Sequence, residues 1–261
     1  MKEVNKCADE VKLRYGAPRF MFCGLYGSQN YNLDTENSDV DTKAIILPTI
    51  EELLHYKKVS NCFDIGTGQC DVKHIQLMFN NFLKQNINFL ELLYTPYFVV
   101  NKEYKDLWCE VISIRNSLTT CNPRKMIHAA VGMGYQKYAA LEKPFESKIP
   151  LIKKYGYDPK QLASMLRIDY FCQNYLQTND FDSAIHPVDV ARNTILSVKS
   201  EPPILEMARR TATSVMEHLD RAVDFVDKNY PKHTDEELEM ESCLDKISQL
   251  AITKYFSNGL M

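Results

Sequence analysis

Arg19-Phe20-Met21-Phe22-Cys23-Gly24-Leu25-Tyr26-Gly27-Ser28, followed ten residues on by Ser38-Asp39-Val40-Asp41-Thr42-Lys43-Ala44-Ile45-Ile46-Leu47, decides the fold of this chain. The first run is apolar and aromatic through Cys23 and reads as a buried strand. Gly24 to Ser28 interrupt it, and a helix start is expected over Gln29 to Leu33. The loop from Asp34 to Ser38 then returns the chain to a second strand over 39–47, acidic where it begins and apolar in its body. A strand of that composition has a buried body and an exposed end, and the exposed end is where chemistry is sought.

Side chains at i and i+2 of an extended segment share a face, so Asp39 and Asp41 project into one space. Carboxylate oxygens are hard ligands suited to Mg2+ or Mn2+, which are held by one or two carboxylates together with substrate phosphates. Paired ions that stabilise both the attacking and the leaving oxygen ask for a third carboxylate. Pro48-Thr49 caps a short helix over 50–55, Lys57 to Ile65 reads as a strand, and Gly66-Thr67-Gly68 turns it into another from Gln69 to Ile75. Asp71 on that last strand is the choice for the third carboxylate, with Asp64 on its hairpin partner as competitor. Gly27 lets a ligand approach the backbone and Ser28 adds a hydroxyl, the chemistry of a phosphate-binding turn. Lys43 falls on the face of Asp41, where it would either meet phosphate or balance the acidic cluster.

From Gln76 onward the apolar spacing is helical, with helices expected at about 122–142, 159–177, 188–199, 203–229 and 235–256. The fold class expected is α+β, a small mixed sheet in residues 1–100 followed by a helical domain over 101–261. With 261 residues, 45% of them hydrophobic, the chain can bury a core without outside help. A formal charge of -3 gives no global footprint for nucleic acid. Eight cysteines without a Cys-x-x-Cys pair signal neither zinc nor a disulfide framework, and the histidines lack ligand spacing. No signal peptide and no membrane-spanning run is visible, so a cytoplasmic location is expected. Trp108 reads as packing.

Gly27-Ser28, Asn30-Tyr31 and Ser38-Asp39-Val40-Asp41-Thr42-Lys43 with Pro48 beyond resemble the DNA polymerase beta superfamily, and within it the RlaP or YcgL-like group of predicted nucleotidyltransferases. Asn86-Ile87-Asn88-Phe89-Leu90-Glu91-Leu92-Leu93 is similar to that group's Asn-Pro-Asn-x-x-Glu-Leu-Leu segment. Tyr157-Asp158-Pro159-Lys160 with Leu166-Arg167 is similar to its Tyr-Asp-x-Lys…Leu-Arg helix. The resemblance runs from about residue 19 to 178. It departs at Ile87 for proline, Ala44 for glycine, and Lys73 where an acidic residue is frequent. It implies transfer of a nucleoside monophosphate from an NTP to an acceptor hydroxyl with release of pyrophosphate, an RNA 3′ end being the first acceptor to consider and a protein or small molecule the next. It favours Asp71 over Asp64 as third metal ligand beside Asp39 and Asp41, and makes Lys160 and Arg167 phosphate contacts. The competing expectations are a nucleotide-binding sensor or partner-binding protein without catalysis, which Lys73 beside Asp71 keeps open, and a helical interaction protein built on residues 102–261.

Overall fold

The computed structural model describes residues 1–36 and 38–259; Asn37, within the returning loop 34–38, and the final two residues lie outside them. The chain divides into two compact units, one of Met1–Asn30, Asp34–Cys121 and Thr234–Met261, the other of Tyr31–Leu33 and Asn122–His233. The first holds α1 (Lys2–Tyr15), β1 (Phe20–Leu25), β2 (Thr42–Ile46), α2 (Ile50–Leu54), β3 (Ser60–Asp64), β4 (Gln69–His74), α3 (Ile75–Leu83), α4 (Ile87–Leu90), β5 (Phe98–Val100), α5 (Lys105–Ser113) and α6 (Arg115–Thr120). The second holds α7 (Pro123–Ala140), α8 (Ile149–Tyr155), α9 (Pro159–Thr178), α10 (Phe181–Ile185), α11 (Asp189–Ser200) and α12 (Leu205–Asn229). The chain then returns to the first unit with α13 (Asp235–Gly259), which packs on α3 and α5. The fold is α+β, a mixed sheet in the N-terminal part and helices after it, as the sequence predicts. Among the described residues no helix is long and apolar enough to cross a membrane.

The sheet runs β3-β4-β2-β1-β5, with β2 and β4 parallel and every other neighbouring pair antiparallel. β2 is buried along its whole length because both of its faces are covered. On one face α1 lays Val4, Cys7, Ala8 and Val11, a helical stripe, against Cys23, Leu25, Ala44, Cys70 and Val72. The Thr42 hydroxyl donates to Cys7 Sγ there at 2.9 Å, so this polar group is satisfied inside the core. On the other face Phe22 stacks on Trp108 with ring centroids 3.9 Å apart, which accounts for the lone tryptophan as packing. Lys43, Asp71 and Lys73 alternate with the α1-facing residues along β2 and β4 and belong to that second face.

Four local readings need correction. No helix forms over 29–33: the Asn30 amide closes a tight turn on the Gly27 carbonyl at 2.9 Å, and Asn32 takes a left-handed φ of 58° that stops any helix. The regular ladder of the second strand starts at Thr42, not Asp39, because Asp39 to Asp41 pair only through single bonds, Val40 N to the Thr67 carbonyl and Tyr26 N to the Asp41 carbonyl. β5 forms beside β1 in a stretch expected to be helical throughout, and α1 forms where no element was expected.

His74 ends β4 and caps α3, its Nδ1 accepting the Gln76 amide at 3.3 Å. The ring is 1% exposed, and burial lowers its pKa from 6.5 to about 4. Between those values the unfolded chain holds a proton that the folded chain does not, so stability falls as pH drops from about 6.5 to about 4, by up to about 3 kcal/mol. Urea unfolding of wild type and His74→Asn across that window should show the variant, which keeps a cap acceptor, with the shallower pH dependence. Parallel curves would show that His74 does not titrate in this way.

Candidate active site

The turn after β1 and the lead into β2 meet at one corner. Gly27 takes φ of 89°, a conformation that side-chain-bearing residues rarely adopt, and a Cβ built on it would stand 3.9 Å from Asp41 Oδ2. Asp41 is half-buried, its Oδ1 accepting the Gln69 amide at 3.0 Å, while Asp39 is exposed. The backbone of this segment is pinned from the hairpin side as well. A Cβ on Gly68 would lie 2.4 Å from the Val40 carbonyl oxygen, a contact only a shift of backbone would relieve. Gly68→Ala is therefore expected to displace the Asp39-Val40-Asp41 segment and cost roughly 1–3 kcal/mol, seen as a lower unfolding midpoint; an unchanged midpoint would show that the hairpin yields freely.

Gly27 does not offer its own amide to a ligand. That N–H donates to Glu91 Oε2 at 3.0 Å, and the Asn30 side-chain amide donates to the same oxygen at 3.2 Å. Glu91 is fully buried and lies 64 residues from Gly27 in sequence, so the acid of the Asn86–Leu93 segment holds the turn from beneath. Ser28 is half-buried on the turn, and its hydroxyl makes no hydrogen bond among the described residues.

Lys43 is 3% exposed, with its ammonium 3.0 Å from the centre of the Tyr26 ring and 4.9 Å from that of Phe89. Burial lowers its pKa to about 8, while Glu91 first and Asp71 next pull it back up. Burial, with the charges of Asp41, Asp71 and Glu91 around it, raises the Tyr26 phenol well above its ordinary value. Lys43 thus lies inside the acidic cluster, balancing it.

Asp71 faces Lys43 directly across the β2–β4 ladder, their charged atoms 4.0 Å apart, and pairs with Lys73 at 2.7 Å. The competitor Asp64 is used locally, capping the Gly66 amide in the hairpin. Among the described residues no group of three or more His, Cys, Asp or Glu side chains is arranged to hold a metal ion. Asp39 and Asp41 are hard oxygen donors two residues apart, but they precede the regular strand from which a shared face was expected, and no contact among the described residues joins their carboxylates.

The two distal candidates belong to the helical unit. Lys160 is exposed in the first turn of α9, whereas Arg167 further along the same helix is only 9% exposed. The sequence reading left out Glu91, Tyr26 and Gly68, all of which position the acidic corner. Glu91 had a signal in the quoted Asn86–Leu93 segment, Gly68 belonged to the expected hairpin turn and Tyr26 to the Gly24–Ser28 turn, but none of the three was expected at the site.

No family model matches the chain, and no curated protein matches it. Among solved structures it is similar to a nucleotidyltransferase-like protein from Exiguobacterium sibiricum 255-15, with 12% identity and a TM-score of 0.30 over 97% of this chain and 78% of that one. A likeness that distant carries no argument.

Proposed function

We propose that the chain is a divalent-metal-dependent nucleotidyltransferase that moves a nucleoside monophosphate from an NTP to an acceptor hydroxyl. The observation that supports this most is the corner itself: a positive-φ Gly27 turn bearing Ser28, set directly against Asp41 at the entrance to β2. A glycine turn with an uncommitted Ser28 hydroxyl and a carboxylate suited to a hard metal ion are then neighbours, which fits a metal-bound triphosphate.

Asp39 and Asp41 would hold Mg2+ or Mn2+, and Asp71 would complete the set once it leaves Lys73. The ion would supply Lewis-acid polarisation of the phosphate and make the acceptor hydroxyl more acidic. Ser28 would donate to the β and γ phosphates, with Gly27 leaving room for them. Lys43, its ammonium held under the carboxylates, would keep the corner from repelling the polyanion. Asp71 would accept the proton of the acceptor hydroxyl as its oxygen bonds to the α phosphorus and the bond to the β phosphate breaks, with pyrophosphate leaving. An RNA 3′ end is the first acceptor to test. Wild type supplied with NTP, Mg2+ and RNA should release pyrophosphate at a rate that EDTA abolishes; absence of release with every NTP and acceptor class would refute transfer.

A second reading, nucleotide binding without turnover, is favoured by one contact. The carboxylate chosen for proton uptake is held by Lys73 at 2.7 Å, with Lys43 4.0 Å away. On that reading NTP binds, no pyrophosphate appears, and Lys73→Ala leaves that outcome unchanged.

A further inference from the structure

Between Ser28 and Asp39 the chain leaves one compact unit and enters the other. Tyr31, Asn32 and Leu33 group with the helices of the second unit, whereas residues up to Asn30 and from Asp34 on group with the sheet. Tyr31 is 4% exposed and Leu33 2%, so their side chains are buried on either side of the exposed Asn32. Asn32 turns the chain between them with a φ of 58°, a conformation that asparagine tolerates.

One helix holds the main chain of this segment. α11 carries Arg192 and Lys199 seven residues apart, two helical turns, and so near one face. Arg192 Nε donates to the Asn32 carbonyl at 2.8 Å, and Lys199 Nζ donates to the Leu33 carbonyl at 2.6 Å. Those carbonyls lie outside every helix and strand, so two half-buried cations supply the partners that regular structure would otherwise provide. α11 is itself anchored, with Ile195 and Val198 buried and its length packed on α9.

On either side of this grip the chain is short and bonded to itself. Toward Ser28, the Asn30 amide closes on the Gly27 carbonyl at 2.9 Å. Toward Asp39, Ser38 and Thr35 bond each other twice, the Ser38 amide to the Thr35 carbonyl at 2.9 Å and the Thr35 amide to Ser38 Oγ at 2.8 Å. Asp39 precedes the ladder of β2, so this connection has a larger part in placing it than the sheet does.

We propose that Arg192 and Lys199 are positioning residues: by gripping the Asn32 and Leu33 carbonyls they fix the connection that carries Ser28 at one end and Asp39 at the other. The consequence for catalysis rests on the transfer reading; the grip does not. Neither residue was among those that the sequence singled out.

The test is hydrogen exchange of the full chain in EDTA without nucleotide, read at single amides by NMR. The reporters are the amides of Asn30, Ser38 and Val40, hydrogen-bonded to the carbonyls of Gly27, Thr35 and Thr67. An Arg192→Met, Lys199→Met double variant should exchange there roughly ten- to a hundredfold faster, while the amides of the β1–β2 ladder keep their wild-type rates. Asn193→Ala, exposed on the same helix, should exchange as wild type does, and Lys199→Arg, which keeps a donor, should stay close to it. Wild-type rates at Asn30, Ser38 and Val40 in the double variant, or equal acceleration throughout the sheet, would overturn the grip. With NTP and RNA, the double variant should need several-fold more Mg2+ for half-maximal transfer, because Asp39 is less well placed; loss of folded protein lowers the rate without moving that requirement. Faster exchange with an unchanged Mg2+ requirement would overturn the positioning role. Wild type without transfer would refute the transfer reading and leave the exchange rates to decide the grip.

Discussion

An Asp39→Asn, Asp41→Asn double variant is expected to lose nucleotidyl transfer by about a thousandfold or more while melting close to wild type. Metal stabilisation of the transition state is worth several kcal/mol, and each ~1.4 kcal/mol is a factor of ten in rate. Asparagine is chosen over alanine because Asp41 Oδ1 accepts the Gln69 amide at 3.0 Å, and a side-chain carbonyl can keep that bond while losing the charge proposed to bind the ion. Asp39 is exposed, so its replacement costs the fold little. Steady-state pyrophosphate release, normalised to the folded fraction measured by circular dichroism, checks this. Activity per folded molecule equal to wild type would remove both residues from the chemistry.

Glu91→Ala is expected to be the most destabilising single change at this corner, by about 3–5 kcal/mol. The substitution orphans the Gly27 amide and takes one acceptor from the Asn30 side-chain amide, which keeps the Glu91 carbonyl at 3.2 Å. It also removes the charge that contributes most to keeping the buried Lys43 ammonium protonated, leaving that cation to Asp71 at 4.0 Å and to the more distant Asp41. Glu91→Gln keeps an acceptor and loses only the charge, so it should lie between wild type and alanine, and the difference between the two variants separates hydrogen bonding from charge balance. Chemical denaturation midpoints for the three proteins give the answer. An alanine variant within about 0.5 kcal/mol of wild type, the range of an ordinary surface change, would show that Glu91 does not anchor the turn.

Much of the architecture was legible because its determinants are local. The Thr49 cap appears in the structure as a full capping box with Glu52, and Gly66-Thr67-Gly68 makes the hairpin that puts Asp71 beside β2. The later helices match their apolar stripes to within a few residues, as at α7, α9 and α12. α1 was legible and overlooked: Val4, Cys7, Ala8 and Val11 stand at helical spacing, but the charges between them mask the stripe. β5 spans only Phe98–Val100, too short for an alternation to show, and it exists because β1 offers an open edge.

What escaped the sequence is set by long-range contacts. Gln29 to Leu33 look like a helix start until the Asn30 side chain is found tied to Glu91, 61 residues away. Lys43 was open between phosphate contact and charge balance; its place between Tyr26 and Phe89 follows from a packed sheet face that spacing alone does not reveal. Lys73 was a visible departure from the family pattern, and the structure gives it a partner, Asp71.

The most direct measurement follows two phosphorus labels. Wild type is incubated with each NTP labelled in turn at the α and at the γ phosphate, with Mg2+ or Mn2+ and total RNA or cell extract. The account predicts that α label passes to an acceptor, that γ label leaves only as pyrophosphate, and that EDTA stops both. NTP binding with no α label on any acceptor would contradict it and establish a nucleotide-binding protein without transfer.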